Sequence, residues 1–347
     1  MTINEIFKVG VDKKASDIHL ISGKTPIIRV DGELFEIKSF PILNGQSIKK
    51  LIYAMLSEKQ KEVFEENKEL DISYELPSSG RFRVNLHWEK ENVGMVARII
   101  NFSPPSMEDI NMPEIIYKLA RLKQGLVIFT GPTGCGKSTS LAAMINLINS
   151  ERSCHIMTLE DPIEFIYVSN KSIIKQRQMN TDVLSFREGL KHVLRQDPNV
   201  VMVGEMRDLE TIAATITLAE TGHLVLATLH TYSAAQTVDR IIDIFPPYQQ
   251  FQIRMQLSMT LAGVVSQRLL PKMNGGRVAA REVLINTPAI SNMIRENKIA
   301  QIGTVIQTSA DEGMQSLDQD IKRLYREEVI AKEVAQSYMI NPDSLED

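Results

Sequence analysis

At 347 residues, 43% hydrophobic and 24% charged, the chain has room for two domains that each bury a core. A net charge of −4 argues against bulk attraction to nucleic acid; two cysteines, Cys135 and Cys154, exclude a disulfide framework and a four-cysteine zinc site. The longest apolar runs, such as LVIF (126–129) and VVMV (200–203), fall far below membrane-spanning length, so no direct membrane insertion is expected.

The opening MTINEIFKVGVDKKASD has early acidic residues and no apolar signal core, which argues against export and for a cytoplasmic address. Residues 15–100 read as mixed α/β. SDIHLI and PIIRVDGELFEI pattern as strands, with Asp31-Gly32 as a hairpin turn. Over 47–70, Ile48, Leu51, Ile52, Met55 and Leu56 recur at helical spacing. Phe82, Val84, Leu86 and Trp88 then alternate with Arg81, Arg83, Asn85 and His87, which predicts a strand with one apolar and one polar face. VGMVARII predicts a partner strand carrying Arg98. NFSPPSMEDINMP (101–113), with three prolines, reads as a linker. Beyond it strand and helix patterns alternate, as a parallel sheet with crossover helices requires. From Thr287 the pattern turns helical, through AISNMIREN and LDQDIKRLYREEVIAKEVAQSY.

Four apolar runs in this second region end at once in chemistry. LVIFT (126–130) runs into GPTGCGKST, HIMTLE (155–160) into Glu160 and Asp161, VVMVG (200–204) into Glu205, and HLVLATLH (223–230) into Thr228 and His230. In open α/β sheets ligands sit beyond the carboxyl ends of the strands, so these clusters are expected to converge on one site.

Gly131, Pro132, Thr133, Gly134, Cys135, Gly136, Lys137 and Ser138 fit the phosphate-loop spacing G-x-x-x-x-G-K-S. Glycines let backbone N–H groups approach phosphate oxygens, and the helix N-terminus that follows adds partial positive charge. Lys137 is expected to reach the β- and γ-phosphates of ATP and Ser138 to ligate Mg²⁺. Glu205 sits where an acid holds Mg²⁺ through water or deprotonates the attacking water; a merely solvated strand-end acid is the alternative. Asp208 and Glu210 suit a surface or capping role. Glu160, Asp161 and Glu164 form a carboxylate cluster that a bound cation would neutralise, with Asp161-Pro162 also readable as turn chemistry. His230 is expected to contact the γ-phosphate; His223, at the strand start, competes with a structural role. Cys135, near a helix N-terminus, is expected either to have a lowered thiol pKa, with alkylation blocking hydrolysis, or to be buried and inert.

Together the blocks GPTGCGKST, TLEDPIEF, VVMVGEMRDLETI and TGHLVLATLHT resemble the secretion-ATPase superfamily, most closely its type IV pilus retraction ATPases. ASDIHLISGKTPIIRVDGEL and GRFRVN are similar to that family's PAS-like domain, and AISNMIREN to its C-terminal retraction signature. The resemblance implies an α/β protein: a PAS-like domain over 1–100, a linker over 101–113, a RecA-like P-loop ATPase core over 114–286 and a helical C-terminal region over 287–347. It implies a homo-hexamer that couples ATP hydrolysis to pilus disassembly at the inner membrane. An inner-membrane pilus platform protein, related pilus machinery and a paralogous retraction ATPase are the implied partners. It further implies that Thr139 extends the nucleotide loop and that Arg81, Arg83 and Arg98 of one subunit complete a neighbour's site, where such cations are worth ~10³–10⁵ in rate. Arg195 and Arg207 are implied as supporting residues.

The sequence departs from the pattern at Cys135, where serine is usual, at Lys191, where arginine is frequent, and at Ser291 and Met293, which replace arginine and leucine. An accessory or assembly-type ATPase, a scaffold subunit and a nucleic-acid translocase stay open as other readings; the acidic balance and single tryptophan speak against the last.

Overall fold

The computed structural model describes residues 1–30, 32–76, 80–100 and 104–346. Asp31 of the expected hairpin turn and residues 101–103 of the expected linker lie outside them. The chain divides into two compact units, Met1–Ser103 with Glu164–Ile166, and Pro104–Ile163 with Tyr167–Asp347.

The first unit contains strands β1 (Asp17–Leu20), β2 (Ile27–Val30), β3 (Glu33–Glu36), β4 (Glu69–Leu76), β5 (Gly80–Glu89) and β6 (Asn92–Ile100). They form an antiparallel sheet in the order β3-β2-β1-β6-β5-β4. The 47–70 stretch is two helices, Gly45–Tyr53 and Glu58–Asn67, with Leu70 already in β4. The break is chemical: the Ser57 hydroxyl accepts the Gln60 N–H while the Gln60 side chain accepts the Ser57 N–H, a capping box that starts a new helix. One sheet face buries Ile18, Phe82, Val84, Leu86, Met95 and Ala97, with Phe7 stacked on Phe82 at 4.2 Å between ring centroids. The opposite face carries charge. Register pairs Arg29 with Asp17, Asp17 with Arg98, Arg98 with Arg83 and Arg83 with Ser73, so these residues make one row across five strands.

The second unit contains β7 (Gly125–Thr130), β8 (His155–Glu160), β9 (Ile173–Gln178), β10 (Val200–Val203), β11 (Leu224–Thr228), β12 (Leu261–Pro271) and β13 (Arg277–Ile285). The sheet order is β13-β12-β7-β11-β10-β8-β9, parallel except for β13. Its central strands read as unbroken apolar runs because both faces are covered. Leu126, Ile128, Val201, Val203, Val225 and Ala227 enter one core, and Val127, Phe129, Val200, Met202, Leu224 and Leu226 the other.

Residues 104–113, expected as linker, pack as part of this unit. Met107 and Met112 are buried with Ile116 and Leu119, and the Arg281 guanidinium donates to the Ile110 and Asn111 carbonyls at 3.0 Å each. Burial pulls the Arg281 guanidinium down to about 10. The residues from 287 onward are helical but not separate. Helices Pro288–Arg295 and Ile302–Thr308 add Ile290, Ile294, Ile302 and Ile306 to one of the two sheet cores. The later stretch breaks into Leu317–Arg326 and Lys332–Tyr338, which pack on Leu270, Val278 and Ala280. Ser291 tethers its helix by donating to the Ser258 carbonyl at 2.8 Å and the Asn286 side-chain oxygen at 3.1 Å.

Candidate functional site

The parallel register sets Phe129 beside Thr228 and Val203 beside both Ala227 and Leu159, so β7, β8, β10 and β11 end at one sheet edge. Residues that follow these tips therefore meet. After Thr130 the chain turns through Gly131 to Gly136 into the Lys137–Glu151 helix. Gly131 has φ 138° and lies so near β12 that a Cβ would stand 2.3 Å from the Gln267 carbonyl oxygen. No other residue fits there.

Lys137 is buried, and its Nζ donates to the Gly131 and Pro132 carbonyls at 2.8 and 3.2 Å. The same Nζ lies 3.4 Å from His230 Nδ1. His230 Nε2 lies 3.1 Å from Glu205 Oε1, which also accepts from Arg207 Nε at 2.7 Å. A lysine ammonium only donates, so Nδ1 is the acceptor and Nε2 carries the hydrogen. His230 is thus a neutral link between the loop lysine and the β10 carboxylate. Burial, then the Lys137 charge, push its pKa below the ordinary histidine value, with Glu205 pulling the other way. His230, expected at a γ-phosphate, joins Lys137 to Glu205.

One residue fixes Glu205 from both sides. The Thr228 carbonyl accepts the Met206 N–H at 3.1 Å and the Thr228 hydroxyl donates to the Gly204 carbonyl. A Cβ on Gly204 would stand 3.0 Å from the Leu159 carbonyl oxygen and 3.3 Å from Glu160 Cα, so glycine lets the β10 and β8 tips close together. Glu160, 5% exposed, accepts from the Thr158 hydroxyl at 2.6 Å and from Gln176 Nε2 at 3.0 Å. Glu205 first, and Asp161 more weakly, hold the Arg207 guanidinium above its usual range. The Asp161–Pro162 peptide is cis. Asp208 caps the Leu209–Glu220 helix, accepting the Thr211 N–H at 2.8 Å.

In the loop, Thr133 and Gly134 are exposed, and Pro132, Ser138 and Thr139 are half-buried. Of the two alternatives for Cys135, the structure shows the buried thiol. It is 3% exposed, and burial pushes its pKa up against the opposing pull of Lys137. Desolvation outweighs the helix terminus.

Two residues implied as supporting flank the starting ends of site strands, His223 as its position in the sequence suggests. His223 precedes β11, its Nδ1 3.0 Å from the Leu218 carbonyl oxygen and 3.1 Å from the Thr221 hydroxyl. Arg195 follows the Phe186–Val193 helix, next to a segment whose Asp197 carbonyl and Asn199 side chain hold His155 at the start of β8. A strand of this length separates them from the tips by roughly 15 Å. Glu164 belongs to the first unit. There, Arg81 donates to the Ser73 hydroxyl at 2.6 Å, Arg98 pairs with Asp17 at 3.0 Å, and Arg83 is exposed between them on the charged sheet face.

Sequence reasoning passed over Gln267 and the double use of Thr228. The signal for the first was present: Ser266-Gln267 interrupts the apolar run of β12, and a buried polar side chain is the informative exception.

Neutral His230 gives a pH expectation. A histidine whose folded pKa is lowered costs nothing above 6.5, and its penalty grows as pH falls through that value because the unfolded chain takes the proton first. Protonation also turns Nδ1 into a donor facing the Lys137 ammonium. Turnover measured against pH is expected to show an acid limb centred below 6.5, and His230→Gln to lack it.

A glycine loop with its lysine, set beside carboxylates at the tips of a parallel sheet, defines a phosphate-loop nucleotide-binding protein. The chain belongs to the Type II/IV secretion system protein family, whose model matches residues 1–336. It is 45% identical to the Type IV pilus retractation ATPase PilT of Pseudomonas aeruginosa, over 99% of this chain and 100% of that one. It is 46% identical to a twitching motility protein of Neisseria gonorrhoeae, over 92% of this chain and 86% of that one. The crystal structure of the pilus retraction motor PilT with bound ADP is similar at a TM-score of 0.94 and 44% identity, covering 100% of this chain and 99% of that one. The resemblance drawn from the four sequence blocks is borne out.

Proposed function

We infer that the protein is an ATP-hydrolysing motor that pulls type IV pili in. The observation that carries this reading is the Lys137–His230–Glu205 relay at the strand tips, which joins a phosphate-binding cation to a water-activating base. In this reading the second unit is a RecA-like core with a helical extension and the first a PAS-like domain. Six copies form a ring at the cytoplasmic face of the inner membrane, on a platform protein of the pilus base and beside a paralogous ATPase.

The mechanism follows from the side chains. Gly131 to Thr139 cradle the triphosphate of ATP, and Lys137 carries charge to its β- and γ-phosphates. His230 Nε2–H and Arg207 both occupy Glu205 Oε1, which leaves Oε2 to accept a proton from the attacking water. Water attacks the γ-phosphorus in line, the bond to the bridging oxygen breaks, and ADP leaves. The Ser138 hydroxyl is a hard oxygen donor of the kind Mg²⁺ would take alongside phosphate oxygens, and Glu205 would hold the ion through water. Magnesium supplies charge neutralisation on the phosphates. Glu160, with Asp161 next to it in sequence, would add carboxylate for that ion's hydration shell. Arg81, Arg83 and Arg98 of a neighbouring protomer supply the cations that developing γ-phosphoryl charge requires.

A strain lacking the gene is the direct test. Accumulated surface pili with lost twitching are the expected phenotype; absence of surface pili would turn the assignment from retraction to assembly.

A further inference from the structure

We propose that Gln267 is the positioning residue that sets the phosphate loop for nucleotide, a reading that rests on the ATPase assignment above. It lies on β12, one residue beyond the Ser266–Thr130 pair, level with the first loop glycine. It is 1% exposed, and both ends of its amide are used. Nε2 donates to the Cys135 carbonyl at 2.7 Å, and Oε1 accepts from the Ser140 hydroxyl at 2.9 Å. A carbonyl only accepts, so the amide's orientation is settled by chemistry.

The two partners bracket the helix N-terminus. Cys135 stands just before it, and Ser140 lies in its first turns, its own N–H bonded to the Gly136 carbonyl at 3.0 Å. In a planar trans peptide the carbonyl and the following N–H point in opposite directions. Holding the Cys135 carbonyl against β12 therefore turns the Gly136 N–H away from the sheet. Gly136 itself, at φ 89°, sits so close that a Cβ would stand 3.2 Å from Gln267 Nε2. Meanwhile the Gln267 backbone carbonyl fills the space beside Gly131 where a larger residue would have its Cβ. One residue thus shapes the loop at its entrance, its last turn and its helix.

Only an amide does all this. A hydroxyl is too short, a carboxylate cannot donate to Cys135, and a thioether does neither. The preceding residue braces the opposite side, since neighbours on a strand face opposite ways: the Ser266 hydroxyl donates to the Tyr232 carbonyl at 3.0 Å, just beyond His230. The middle of β12 therefore holds both the lysine-bearing loop and the histidine-bearing loop.

The test compares full-length wild type, Gln267→Met, Gln267→Glu and Ser140→Ala by equilibrium titration with MgADP, steady-state kinetics with MgATP, and thermal unfolding without nucleotide. Loss of a buried hydrogen bond that leaves a carbonyl unsatisfied is expected to weaken MgADP binding roughly tenfold in Gln267→Met. Gln267→Glu should weaken it further, because a carboxylate would face a carbonyl oxygen beneath bound phosphate. The rise is expected in KM rather than kcat, whereas simple destabilisation would remove active molecules and lower kcat at unchanged KM. A folded Gln267→Met that binds MgADP within twofold of wild type overturns the proposal. If Gln267→Met does not fold, Ser140→Ala decides: severalfold weaker binding supports the clamp, and unchanged binding overturns it. Wild type that fails to bind MgADP would overturn the ATPase reading and the clamp together; equal binding by wild type and variants would remove the clamp alone.

Discussion

Glu205→Gln is expected to lower MgATP turnover by roughly a hundred- to ten-thousandfold, the range a positioned general base contributes, while MgATP binding stays within a fewfold of wild type. The geometry explains why the loss is selective. His230 Nε2 and Arg207 Nε converge on the same oxygen, Oε1, at 3.1 and 2.7 Å. A glutamine carbonyl placed there accepts both, so the relay keeps its shape, and Lys137 keeps its acceptor on His230. What disappears is the basicity of Oε2. Single-turnover hydrolysis with a parallel binding titration separates the two effects, and turnover within tenfold of wild type would remove Glu205 as the base.

Lys137→Ala acts on the other end of the relay. It deletes the buried cation that the Gly131 and Pro132 carbonyls and His230 Nδ1 surround. Removing one preorganised donor aimed at developing oxyanion charge typically costs ~10²–10³ in rate. Binding of MgATP is expected to weaken as well, because the lysine serves ground state and transition state alike. Lys137→Arg is a poor rescue, since a planar guanidinium does not fit a space shaped for a point charge. Retention of full magnesium-dependent activity by the alanine variant would end the motor assignment.

How much of this could be read from the chain depended on what each residue had to do. The tips of β7, β8, β10 and β11 were legible because a parallel strand buried on both faces is an unbroken apolar run, and its abrupt end in Glu160, Glu205 or His230 stands out. His223 reads as a strand-start residue and is one, whereas Arg195, close to a site strand in sequence, also flanks a starting end rather than a finishing one. The strand Ile173–Gln178 was missed because an edge position tolerates IIKQRQ, which has no apolar periodicity. The division of 47–70 turned on a reciprocal Ser57–Gln60 cap, two ordinary polar residues until the backbone brings them together. The two alternatives for Cys135 could not be separated in the sequence, because a motif shows proximity to a helix terminus but not the depth of burial that outweighs it.

The charged row on the first sheet has a mechanical consequence. Arg29, Arg98 and Arg83 are fixed to neighbouring ladders by continuous backbone pairing, with Asp17 between two of them. Adjacent strands lie about 4.8 Å apart, so the backbone attachment points of these arginines are spaced like teeth on a rack. The roots of these side chains therefore move as a whole with the sheet, and Arg83 and Arg98, paired in register, bring their charge up together.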